Sequence, residues 1–93
     1  MKYRGSRAKI KESQRKYLKY LEGKNRILDI GCGRGEFVEL LTEQGKTGIR
    51  GIDINEDMVT FCRDKHLPVE YGDAITYLQS VPQGELEGIY MGQ

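Results

Sequence analysis

Residues 27–37 read ILDIGCGRGEF, an apolar run, then three glycines at alternate positions, then a glutamate that opens a new apolar pattern. Glycine gives up more conformational freedom on folding than any other residue, so three of them within five positions need a compensating reason. The usual reasons are positive φ angles and a close approach of the backbone to a ligand. A buried strand that passes through such a loop into a helix points to an α/β fold, which holds ligands at the carboxyl ends of its strands.

The rest of the chain supplies matching elements. Ser6 is a candidate N-cap for a leading helix whose Ile10, Gln14, Tyr17, Leu18 and Leu21 share one face, with Gly23 as its stop. RILDI reads as a strand buried on both faces, since its apolar residues do not alternate. Residues 35–44 predict a helix, residues 48–54 a second strand, and residues 56–65 a helix with Met58, Val59, Phe61 and Cys62 inside. A third strand spans residues 67–72, with Pro68 tolerable only at its start. A short helix capped by Asp73 follows, and GIYMG makes a fourth strand. The pattern is βαβαβαβ behind a helix, so the fold class is α/β with a parallel sheet. Right-handed crossovers predict the strand order 3-2-1-4. The fourth strand would leave an apolar edge uncovered, and this predicts that the chain is the front part of a larger fold, cut after strand four. The expected division is a leading basic segment, 1–25, and a ligand-binding segment, 26–93.

Composition narrows the setting. The chain of 93 residues is 38% hydrophobic and 31% charged. It has no apolar run of the roughly 18–20 residues that a membrane span needs. No signal peptide is visible, and Cys32 and Cys62 match neither a disulfide framework nor a zinc spacing, so a reduced cytoplasmic setting and no metal are expected. The net charge of +1 hides a split. Residues 1–26 carry ten Lys/Arg against two Asp/Glu, whereas residues 27–93 carry five against twelve. A basic leader with Tyr3, Tyr17 and Tyr20 could serve single-stranded nucleic acid, but a solvated helix face explains the charge as well, and Tyr17 falls on the apolar face.

Spacing distinguishes the ligands. The dinucleotide fingerprint is G-x-G-x-x-G, whereas Gly31, Gly33 and Gly35 bring the third glycine one residue early and put Glu36 at the helix start. A carboxylate there competes with a pyrophosphate for the helix N-terminus. No Gly-Lys-Ser/Thr follows, so the Walker pattern fails too. The expected ligand has a ribose and a base but no phosphate. Asp53, at the end of strand two, sits where an acid accepts ribose hydroxyls. Asp73, at the end of strand three, can accept from an exocyclic amine. The loop and Asp29 face a charged, amino-acid-like tail. A nucleoside joined to an amino acid without phosphate describes S-adenosylmethionine.

ILDIGCGRGEF, IRGIDINEDMV, VEYGDAITYL and LEGIYMGQ resemble, in order and spacing, the first four motifs of class I S-adenosylmethionine-dependent methyltransferases, which have a Rossmann-like fold. The resemblance covers residues 26–93. It implies that Gly31, Cys32 and Gly33 line the methionine moiety, that Gly35 belongs to the same loop, and that Asp29 orients it. It further implies that Asp53 binds the ribose, that Ile54 and Met58 lie against the adenine, and that Asp73 and the Ala74 amide meet its edge. Met91 to Gln93 would lie near the methyl donor. More narrowly, the leader resembles the start of bacterial methyltransferases of surface-polysaccharide synthesis, which implies that Arg4 or Gln14 reaches the cofactor's carboxylate. The implied function is methyl transfer to a small-molecule or glycan acceptor, with a nucleic-acid-binding or RNA-methylating module as the alternative. No residue of this stretch stands out as a catalytic base. Cys32 lacks a basic partner that would make it a nucleophile, and His66 reads as a surface residue at a helix end.

Overall fold

The computed structural model describes residues 6–91. Ser6 caps the first helix, α1 (Arg7–Gln14), accepting the Lys9 amide on its hydroxyl at 3.1 Å. The expected single helix to Leu21 is not continuous, because Arg15–Leu21 tightens into a 3-10 helix. With three residues per turn, Leu18 and Leu21 stand on one side and both reach the core. Tyr17 leaves that side. It is 38% exposed, and its ring packs at a tilt on Tyr90, 5.7 Å between centroids.

Four parallel strands follow: β1 (Ile27–Ile30), β2 (Ile49–Asp53), β3 (Val69–Tyr71) and β4 (Gly88–Tyr90). Their order is β3-β2-β1-β4, as the crossover rule predicts. Ile27 is opposite Ile49 and Gly88, and Asp29 is opposite Gly51 and Tyr90. Pro68 stands just before β3 and gives the ladder only its carbonyl, which accepts the Gly51 amide at 2.9 Å. β4 forms one edge, with Ile89 51% exposed.

The intervening helices are α2 (Glu36–Glu43), α3 (Glu56–Asp64) and α4 (Ala74–Ser80). Phe37, Val38, Leu40 and Leu41 of α2 and Val59 and Cys62 of α3 join Ile27 and Ile49 in the main core. Leu28 and Ile52 are buried outside that cluster, on the opposite face where the return crossover runs α4. Two apolar residues of α3 end up nearer solvent than periodicity suggests, Met58 half-buried and Phe61 36% exposed. The Arg7 guanidinium covers the Phe61 ring, 5.5 Å from its centroid, so its burial comes from outside the core.

α3 ends in a left-handed residue, His66 at φ 63°. His66 donates its amide to Arg63 and Leu67 donates to Cys62, the paired bonds that close a helix C-terminus. His66 is exposed and serves as a helix stop.

Candidate functional site

The glycine loop joins β1 to α2, and all three of its glycines have positive φ: Gly31 at 67°, Gly33 at 59° and Gly35 at 78°. Two of them also show why a side chain is excluded or how the turn is fixed. At Gly35 a Cβ would come within 2.8 Å of both Cys62 Sγ and Leu67 Cδ1, the two residues of the α3 stop. At Gly33 the turn aims the amide at Asp53, whose Oδ2 accepts it at 2.8 Å.

Most of the loop's amides are already occupied. Gly31 and Cys32 both donate to the Ile52 carbonyl, at 2.8 and 3.2 Å, and Gly35 donates to the Cys32 carbonyl at 3.0 Å. A phosphate cradle needs such amides aimed outward. Glu36, only 3% exposed, fills the start of α2, with Arg34 Nε 3.3 Å from its Oε2. The loop is therefore pinned to the end of β2 and carries an acid where a phosphate would bind.

Asp29 is also buried, at 3% exposure. Burial first, then electrostatic repulsion from Cys62, Glu36 and Asp53, pushes this carboxyl up to about 8. Asp29, Glu36 and Asp53 thus make the loop's surroundings acidic. Cys32 is buried, and its thiol is pushed up by a hydrogen bond to Cys62 and then by burial. That direction opposes a thiolate nucleophile.

On the α4 face, a cavity of about 230 Å³ opens at the carboxyl ends of β1, β2 and β3. Its lining brings together five of the residues expected from sequence: Gly31, Asp53, Ile54, Asp73 and Ala74. Asp53 sits at the last position of β2, its second oxygen accepting the Asn55 amide at 2.9 Å. Ile54 is 71% exposed at the rim. Asp73 is the N-cap of α4, taking the Thr76 amide at 2.9 Å and the Thr76 hydroxyl at 3.1 Å on one oxygen.

Other expected residues lie away from this lining. Cys32, Gly33 and Gly35 are buried on the far side of the loop, Met58 is half-buried on α3, and Met91 is 69% exposed past β4. Gln14 approaches Tyr90, and its Oε1 is buried without a partner. Arg4, Gly92 and Gln93 lie outside the described residues. Sequence reasoning missed Ile30, Ile52 and Gly72 in the lining. Period-2 alternation through Ile30, Ile52 and Ile54 was the available signal, since it puts all three on the α4 face. A larger hollow of about 400 Å³ lies at the opposite ends of the strands, beside Arg26 and Arg50. Those arginines are paired with Glu87 and Glu70, and no expected site residue faces it.

The basic leader turns part of its charge inward. Arg7 and Lys11 pair with Glu39, at 2.6 and 3.3 Å, and Lys11 also pairs with Glu43 at 2.7 Å. Among the described residues no cluster of His, Cys, Asp and Glu could hold a metal, and no helix is long and apolar enough to cross a membrane.

Strand order, the pinned glycine loop, and the acids at the end of β2 and just past β3 define the first four strands of a class I methyltransferase fold. The chain belongs to the MetW family, described as methionine biosynthesis protein MetW, which matches residues 11–93. A solved S-adenosylmethionine-dependent methyltransferase from Archaeoglobus fulgidus is 50% identical with a TM-score of 0.86, over 94% of this chain and 38% of that one. The PH0226 protein from Pyrococcus horikoshii OT3 is 31% identical with a TM-score of 0.62, over 73% of this chain and 34% of that one. YqeM of Bacillus subtilis (strain 168), a proposed methyltransferase, is 41% identical over 59 residues, 63% of this chain. The chain spans 22% of YqeM and little more than a third of the two solved relatives.

Proposed function

We propose that this chain is the S-adenosylmethionine-binding part of a methyltransferase. The observation that carries the reading is the 230 Å³ cavity that gathers Gly31, Asp53, Asp73 and Ala74 at the strand ends. In this reading Asp53 accepts the ribose hydroxyls, Ile54 and Met58 border the adenine, and Asp73 with the Ala74 amide meets its edge. The methionine end lies against Gly31, Cys32 and Gly33, with Asp29 beneath and Met91 near the methyl.

Charge supports the choice of ligand. S-adenosylmethionine carries a sulfonium and an ammonium, and the loop is bordered by Glu36 and Asp53, with Asp29 able to give up its proton opposite the ammonium. A dinucleotide would bring a pyrophosphate to those same acids. Methyl transfer is an in-line displacement on an activated methyl, so the protein's contribution here is to hold the donor in place. Positioning of this kind can supply roughly 7–11 kcal/mol of a barrier. The acceptor in this reading is a small molecule or glycan. The family's description as methionine biosynthesis favours the small molecule.

Thermal unfolding with S-adenosylhomocysteine, and with NADH as control, tests the reading. A ligand at about 100 times its dissociation constant adds about 2.7 kcal/mol, which raises the midpoint of a domain this small by more than about ten degrees. A rise with S-adenosylhomocysteine that Asp53→Ala cuts to about half or less is expected. A rise with NADH instead would replace this reading with a dinucleotide site.

A further inference from the structure

α1 has no buried residue, so apolar packing does not account for where it sits. Its ion pairs to α2 do, and they involve two side chains with different reach. Lys11 pairs with two acids of α2, Glu39 and Glu43. Arg7 contacts Glu39 through Nη1 and also donates Nη2 to the Arg34 carbonyl of the glycine loop at 2.9 Å.

The peptide joining Arg34 to Gly35 is thereby held at both ends. Its carbonyl accepts from Arg7, and its N–H donates to the Cys32 carbonyl at 3.0 Å. This peptide lies between two left-handed glycines, Gly33 and Gly35, where the backbone has most freedom to rotate. Asp53 secures the neighbouring Gly33 amide from the opposite direction. The Arg7 side chain is only 20% exposed, its Nε is buried without an acceptor, and its guanidinium rests over Phe61. Docking α1 requires neither the ring nor the carbonyl contact, since Lys11 reaches Glu39 and Glu43 of α2 without them.

We infer that Arg7 is a positioning residue of the glycine loop, acting on it from outside and never touching the ligand. Its bidentate fork is what the role needs. A lysine keeps the charge opposite Glu39 but offers no second N–H at fixed geometry for the Arg34 carbonyl. The consequence for ligand affinity rests on the cofactor reading above, whereas the consequence for the loop does not.

The experiment pairs amide hydrogen exchange with titration of S-adenosylhomocysteine, on the wild-type chain and on Arg7→Ala, Arg7→Lys and Lys11→Ala. Expected for Arg7→Ala is faster exchange at Gly33 and Gly35 with β1 and β2 unchanged, and about tenfold weaker binding, the scale of one hydrogen bond to a charged group. Arg7→Lys should weaken binding nearly as much, whereas Lys11→Ala, which also loses α1–α2 pairs, should leave both readouts near wild type. Unchanged loop exchange in Arg7→Ala overturns the inference. Equal losses in Lys11→Ala overturn it too, because the effect would then belong to helix docking. A wild-type chain that binds no S-adenosylhomocysteine counts against the cofactor reading, and loop exchange still decides the role of Arg7.

Discussion

Asp53 Oδ2 accepts the Gly33 amide at 2.8 Å, which fastens the end of β2 to the middle of the glycine loop. Its other oxygen holds the Asn55 amide at 2.9 Å, just before α3. One carboxylate thus shapes the loop and orients the next helix, and each oxygen keeps a lone pair for a ligand hydroxyl. This explains how an acid can end a strand with no cationic partner among the described residues.

Asp53→Ala should therefore affect stability and binding together. Releasing two amides costs about 1–3 kcal/mol, and losing a charged acceptor for the ribose weakens S-adenosylhomocysteine about 10–100-fold. Urea unfolding and calorimetric titration measure the two losses separately. Wild-type affinity in this variant would remove Asp53 from the site.

Asp29 predicts a pH dependence. Its carboxyl, raised to about 8 by burial, holds a proton over a range where the unfolded chain, near the ordinary value of 3.8, has lost it. The folded state then binds more protons than the unfolded one, so stability falls as pH rises from about 4 to about 8. The slope is at most about 1.4 kcal/mol per pH unit. Asp29→Asn should flatten this slope and make the unliganded chain more stable than wild type at pH 8.5. In the proposed complex the ligand's ammonium favours ionised Asp29, so wild type should release a proton on binding at pH 7 and Asp29→Asn should not. Titrations in buffers of different ionisation enthalpy would detect the proton, and equal heats of binding would count against the contact.

At Asp73 the cap and the proposed adenine contact can be separated. One oxygen closes α4 through Thr76. Serine caps a helix nearly as well as aspartate but carries no charge. Asp73→Ser should stay within about 0.5 kcal/mol of wild-type stability and still bind S-adenosylhomocysteine several-fold more weakly, whereas Asp73→Ala should also lose about 1 kcal/mol of stability. If Asp73→Ser binds like wild type, the aspartate is only a cap.

The sequence carried much of this arrangement because its signals are local. Glycine spacing, Ser6 and Asp73 as caps, and acids at strand ends each act within a few residues. Right-handed crossover then orders the strands without reference to any side chain. What was not legible depends on contacts between distant elements. Phe61 falls on the apolar stripe of α3, but Arg7, which covers it, comes from a helix 54 positions earlier in the chain. The change to a 3-10 helix at Arg15 reflects where Leu18 and Leu21 meet the sheet, and a helical period alone gives no hint of it. Glu36 reads as the acid that opens α2, and its burial at 3% exposure has no signal in the local pattern.

Gly51 is a further residue of this kind, an apparently ordinary glycine in the middle of β2. A Cβ there would stand 2.9 Å from Cys32 Sγ and from Val38 Cγ2, and 3.1 Å from Cys32 Cβ. β2 can therefore lie beneath the glycine loop only if this position has no side chain. Gly51→Ala should cost about 1–3 kcal/mol through overpacking. Because one of the displaced residues belongs to the loop, ligand affinity should fall as well. Gly72 makes the comparison, since its backbone is unstrained and a Cβ would meet Ile52 Cδ1 at an ordinary 3.5 Å. Gly72→Ala should unfold close to wild type in urea. A Gly51→Ala chain as stable as Gly72→Ala would mean that the loop shifts freely over β2, and the rigid attachment of loop to strand described above would be wrong.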